Sequence, residues 1–220
     1  MISNSGAVAP AGAMWSELQN TINDNSISNF TVGFACNNAG AGSYHLADDF
    51  VVPTGQRWNI LSVSVYAWVS GATTNPFDKL CIEVWNGNPS LQGSSIIFSD
   101  LATNVLLNVI DTLVYGIPNT LVPAPGRPAI ANNKIWKLTG NISKQLGSGR
   151  YWLDWQVHTS SGSQAWSPTC KVKGQRGLSN WNALCFNPGN AWQPAYDPGL
   201  GLAFPVLVAQ DFPFEISYTY

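Results

Sequence analysis

YWLDWQVHTSSGSQAW, residues Tyr151 to Trp166, holds three of the chain's ten tryptophans and one of its two histidines. Its first half alternates. Tyr151, Leu153, Trp155 and Val157 fall on one side of an extended chain, and Trp152, Asp154, Gln156 and His158 fall on the other. That period of two predicts a strand with one tryptophan in a core and the other turned outward, where Trp152 becomes a candidate ligand-binding ring.

The same alternation recurs on both sides of this stretch. In RWNILSVSVYAWV (Arg57 to Val69), Leu61, Val63, Val65, Ala67 and Val69 oppose Trp58, Ile60, Tyr66 and Trp68. LCIEVW (Leu80 to Trp85) sets Ile82 and Val84 against Cys81, Glu83 and Trp85, and NGNP then turns the chain. SIIFSDLATNVL reads as a strand and a break, and further strands are expected at Lys134 to Leu138, Arg150 to His158 and Ala203 to Ala209. At the end, Phe212, Phe214, Ile216, Tyr218 and Tyr220 share one face. Many short strands divided by turn clusters, without alternating helices, predict an all-β antiparallel two-sheet β-sandwich, jelly-roll-like in its connections. Residues 35–220 form its single domain. Residues 1–34 read as an N-terminal arm or edge segment, with one helix-compatible stretch where Met14, Leu18 and Ile22 recur every four positions.

Composition narrows the function classes. Only 10% of residues are charged, 45% are hydrophobic and 12% aromatic, so solubility must come from Ser, Thr, Asn, Gln and Gly. This profile fits a secreted, extracellular β-protein. A net charge of −2 with scattered basic residues excludes a nucleic-acid partner, and no apolar run is long enough for membrane insertion. MISNSGAVAPAG lacks the basic and apolar regions of a signal peptide, so the chain reads as a mature or recombinant piece with Met1 an added start. Cys36, Cys81, Cys170 and Cys185 form no CxxC pair, which favours two disulfides over a zinc site. Of three connectivities, Cys170 with Cys185 and Cys36 with Cys81 is preferred, because the polar loop between Cys170 and Cys185 gains from closure. Buried free thiols are the alternative.

ADDFVVPTGQRWNILSVSVYAW (Ala47 to Trp68), YWLDWQV, AWQPAYDPG and DFPFEISY together resemble a group of secreted bacterial β-sandwich domains with ADDF, YWLDWQ and PFxI strand motifs. The likeness spans about Tyr44 to Tyr220. It implies an extracytoplasmic, jelly-roll-like domain, and it does not extend to the cysteines or the first forty residues.

Candidate chemistry is sparse. Asp48, Asp49 and Asp211 flank strands that are neighbours in many jelly rolls, a set of oxygens suited to a structural calcium ion, the one cofactor suggested. Backbone capping by the same aspartates is the competing explanation. Glutamates number three, Glu17, Glu83 and Glu215; a glycoside hydrolase would need Glu83 and Asp154 to meet across a sheet face. Neither GSGR nor SGSQ forms a serine-hydrolase elbow around His45 or His158. Trp166, Trp181 and Trp192, in loop-like settings with amides and hydroxyls nearby, suit saccharide recognition, joined by Tyr196 and Asp197. The expectation is therefore a non-catalytic binding or adhesion module whose partner is a glycan or cell-surface polymer. Its rivals are a self-assembling subunit of a fibre or surface layer joined by strand or arm exchange between copies, and a glycoside hydrolase.

Overall fold

A computed structural model describes residues 8–22, 24–39, 42–117, 133–189, 191–200 and 206–220. Thirteen strands make two main sheets. They are β1 (Met14–Glu17), β2 (Phe34–Ala35), β3 (His45–Val52), β4 (Trp58–Trp68), β5 (Phe77–Trp85), β6 (Ile96–Phe98) and β7 (Leu106–Ile117). There follow β8 (Lys134–Leu146), β9 (Gly149–Thr159), β10 (Trp166–Ser167), β11 (Leu184–Phe186), β12 (Trp192–Pro194) and β13 (Phe214–Thr219). Sheet A is seven-stranded, in the order β1-β7-β8-β4-β10-β2, with β13 lying along β4 beside β10. Sheet B is six-stranded, in the order β6-β5-β9-β3-β11-β12. Their inner faces pack into one core, so the chain is an all-β two-sheet sandwich.

Alternation explains the packing. From β9, Leu153, Trp155 and Val157 enter the core, where Trp155 meets Phe212 edge to face at 5.6 Å. From β5 come Leu80, Ile82 and Val84, and from β13 Phe214, Ile216 and Tyr218 pack against the same core. Burying one such large side chain contributes roughly 1.5–3 kcal/mol, so these alternating rows dominate the sandwich's stability.

Strand β4 departs from the simple pattern. Ser62 pairs with Asn141 and Ser217, whereas Ile60 pairs with Lys144 and Tyr218; Leu61 has no partner on either side. This bulge flips the phase. Trp58 and Ile60 therefore join Val63, Val65 and Ala67 in the core, and Leu61 is 49% exposed. Trp58 stacks on Tyr218 with ring centroids 3.8 Å apart.

The N-terminal segment forms strands, not a helix. Met14–Glu17 pairs in parallel with Val114–Ile117 at the edge of sheet A. Leu18 is buried, but Met14 and Ile22 are exposed, so the every-fourth-residue row never faced one core. Of the expected strand Ala203–Ala209, the first part lies outside the described residues; Val208–Ala209 pairs with Tyr196–Asp197. The expected disulfides are also corrected, because all four cysteines are free. Cys36 lies in the core, while Cys81 projects from the opposite face of β5 to the core residues Leu80 and Ile82. Cys170 lines a cavity beside Tyr66 and Ile135 of sheet A, whereas Cys185 sits on β11 of sheet B opposite Leu46.

Candidate functional site

The outer face of sheet B carries the most concentrated chemistry. Asp154 of β9 stands directly opposite Glu83 of β5, and their carboxyl groups are hydrogen-bonded. Asp154 Oδ1 lies 2.8 Å from His45 Nδ1, and Asp154 Oδ2 accepts from Trp85 Nε1 at 3.3 Å. The His45 ring is held between Phe186 and Trp192, at centroid distances of 4.5 and 4.6 Å. Burial raises the Glu83 pKa to about 8, reinforced by the Asp154 charge and hydrogen bond; bonds from Trp85 and the Leu101 backbone pull the other way. The raised Glu83 pKa favours one proton held within the pair over two charges side by side.

This pair does not have a glycosidase's spacing. Retaining and inverting enzymes separate their carboxyls by about 5–9.5 Å, leaving room for the sugar carbon or a water, whereas here the groups touch. They are also covered: Asp154 is 0%, Glu83 6% and His45 8% exposed. Trp152, expected to face a ligand, is 3% exposed and packs with Ala47, Leu184, Trp85 and Trp192 over the same region. The face works as a second small core with a polar centre.

Asp197 is likewise internal. It accepts backbone N–H bonds from Phe30, Thr31 and Gly199, at 2.9, 2.6 and 2.8 Å, and pairs with Arg176 at 3.1 Å. Asn29 and Gln210 bond the carbonyl of Arg176 and complete the network. Asp197 therefore ties three chain segments together, while its neighbour Tyr196 is 43% exposed on the other side of the strand. The two do not share a site.

The proposed calcium set is divided in the same way. Asp48 accepts from the backbone of Asp49 and Phe212 at 2.8 and 2.7 Å, and Asp211 accepts from Asn182 at 2.7 Å. Asp49 instead pairs with Arg150. Burial and the neighbouring Asp211 raise the Asp48 pKa to about 8, and burial raises that of Asp211. Among the described residues, no group of three His, Cys, Asp or Glu side chains is arranged to hold a metal ion. Asp48 fastens the middle of β3 to Phe212 before β13, and Asp211 fastens that segment to Asn182 before β11.

An open groove of about 570 Å³ lies where the ends of the two sheets meet. Trp166 lines it with Phe34, Tyr44, Gln164 and Asn187, and among the described residues no lining residue is charged. Trp166 stacks on Trp68 with centroids 6.1 Å apart, which fixes the indole while leaving it half-buried. Gly33 makes the tight approach possible, since a Cβ there would lie 2.7 Å from the Ser167 carbonyl. The Gln164 amide nitrogen is held by Asn37 and by the Ala165 carbonyl. Among the described residues, the Tyr44 hydroxyl and the Asn187 side chain make no hydrogen bond.

Of the six expected ligand-binding residues, only Trp166 lines this groove. Trp181 is buried against a different cavity, and Trp192 packs on His45. Tyr44, Phe34 and Asn187 went unrecognised because they come from distant segments; the amide two residues before Trp166 was the local signal. No known protein family, curated protein or solved structure matches the chain.

Proposed function

We propose that the protein is an extracellular, non-catalytic binding module that takes a neutral saccharide in the groove built on Trp166. The observation that carries this reading is the groove's chemistry: a fixed indole beside Tyr44 and Phe34, polar groups with spare hydrogen-bonding capacity, and, among the described residues, no charge in the lining. An aromatic ring offers a flat apolar surface to the C–H face of a sugar, and amides and hydroxyls at its margin take the hydroxyls. A charged ligand would find no counter-ion among the described lining residues.

The non-catalytic part of the reading is supported by the acids on the outer face of sheet B. Glu83 and Asp154, which face each other, are covered by their own neighbours, and both Asp154 oxygens are taken by His45 and Trp85. The extracellular location rests on the low-charge, turn-rich composition and on the resemblance to secreted β-sandwich domains.

A glycan array probed with the wild type and Trp166→Ala tests the proposal. Binding to neutral glycans that falls at least about tenfold in the variant is expected, the scale on which loss of a stacking residue is read. Silence of the wild type across the array, or equal binding by the variant, would contradict it.

A further inference from the structure

A second cavity, of about 490 Å³, lies against the outer face of sheet A. Val114 of β7 and Ile135 of β8 form one wall, and Val172, Leu178 and Trp181 of the segment that follows β10 form the other. Its size and apolar walls match those of small-molecule sites, which add only a few placed polar groups. Ser16, Tyr66, Thr112 and Thr169 add hydroxyls to the lining, and Lys171 is its one charged residue among the described residues.

Lys171 Nζ donates to Thr169 Oγ1 at 2.5 Å. It forms no ion pair among the described residues, and the acid that acts on it, Asp197, is already held by Arg176. An ammonium has three protons to donate, so this one keeps unused donors beside an apolar chamber. Burial lowers its pKa to about 8, with Asp197 and Cys170 pulling it upward. A half-buried ammonium without an ion-pair partner is incompletely solvated, and an anionic ligand would relieve that cost.

We propose that this cavity binds a monocarboxylic acid with an apolar tail, its carboxylate on Lys171 and Thr169 and its tail between Ile135, Val114 and Leu178. Charge complementarity selects the ligand class: a single cation at one point of a mainly apolar lining that is otherwise uncharged among the described residues fits one anionic group and no more. The site shares no residue with the Trp166 groove, so either can be absent without the other.

Calorimetric titration of the protein with decanoate, and separately with 1-decanol, tests the proposal. Saturable binding of decanoate, at least about tenfold tighter than the alcohol, is expected from one charge-assisted contact. Lys171→Met should remove the preference for the acid, and Lys171→Arg should keep it. Equal affinity for acid and alcohol, no saturable binding of decanoate, or an undiminished preference in Lys171→Met would overturn the proposal. If Lys171→Met fails to fold by circular dichroism, the acid-to-alcohol ratio of the wild type decides alone.

Discussion

Replacing Glu83 with glutamine should change how stability depends on pH while leaving the fold intact. Glutamine has nearly the same shape and can still donate to Asp154, but it cannot ionise. In the wild type, the folded chain holds the Glu83 proton up to about pH 8, whereas the unfolded chain releases it near 4.5. Between those values the folded state binds more protons, so stability present below pH 4.5 is lost as pH rises and is gone above pH 8. Each tenfold bias is worth about 1.4 kcal/mol, so a carboxyl displaced from 4.5 to about 8 corresponds to roughly 5 kcal/mol before screening. Dielectric relaxation around the pair reduces this to about 2 kcal/mol. Urea unfolding of wild type and Glu83→Gln, followed by tryptophan fluorescence at pH 5, 7 and 9, measures it. The variant should gain about 2 kcal/mol relative to the wild type from pH 5 to pH 9. Asp48 titrates in both proteins and cancels in the difference. Parallel stability curves, or a gain of the opposite sign, would refute the coupling assigned to Glu83 and Asp154.

Other perturbations test the framework around the sites. Asp197→Ala leaves Arg176 buried without its partner and strips three backbone amides of an acceptor, so chemical denaturation should show a loss of about 3–5 kcal/mol. The bulge at Leu61 predicts that Ile60→Ala costs about 2–5 kcal/mol while Leu61→Ser stays within about 0.5 kcal/mol, and the reverse ranking would place the bulge elsewhere. With four free cysteines, dithiothreitol should leave the unfolding midpoint unchanged, and all four thiols should react with a thiol reagent in denaturant; fewer would reveal a disulfide.

The sandwich was largely legible because its strongest signal is local. In β9 and β13 the period of two places Trp155 and Phe214 without knowledge of any other strand. In β4 the same logic misassigned Trp58 and Ile60, because the bulge that flips their phase arises from pairing with β8 and β13. The edge strand β1 was misread for a related reason: four residues paired in parallel with β7 leave little periodicity of their own. Sites fared worse because they are assembled from distant segments. Glu83 and Asp154 lie 71 positions apart and meet through strand register, and the Trp166 groove draws on chain near residues 33, 44 and 187. A tryptophan flanked by amides looks alike whether it is half-buried at an open groove, as Trp166 is, or buried in a cavity wall, as Trp181 is.

The most direct measurement is calorimetric titration of one neutral oligosaccharide, chosen as the strongest array ligand, into the wild type, Trp166→Ala and Trp181→Ala. Saccharide binding in the Trp166 groove predicts saturable binding that weakens at least about tenfold in Trp166→Ala and is unchanged in Trp181→Ala. Affinity that survives in Trp166→Ala, or falls only in Trp181→Ala, would place the ligand elsewhere and contradict the assignment of the groove.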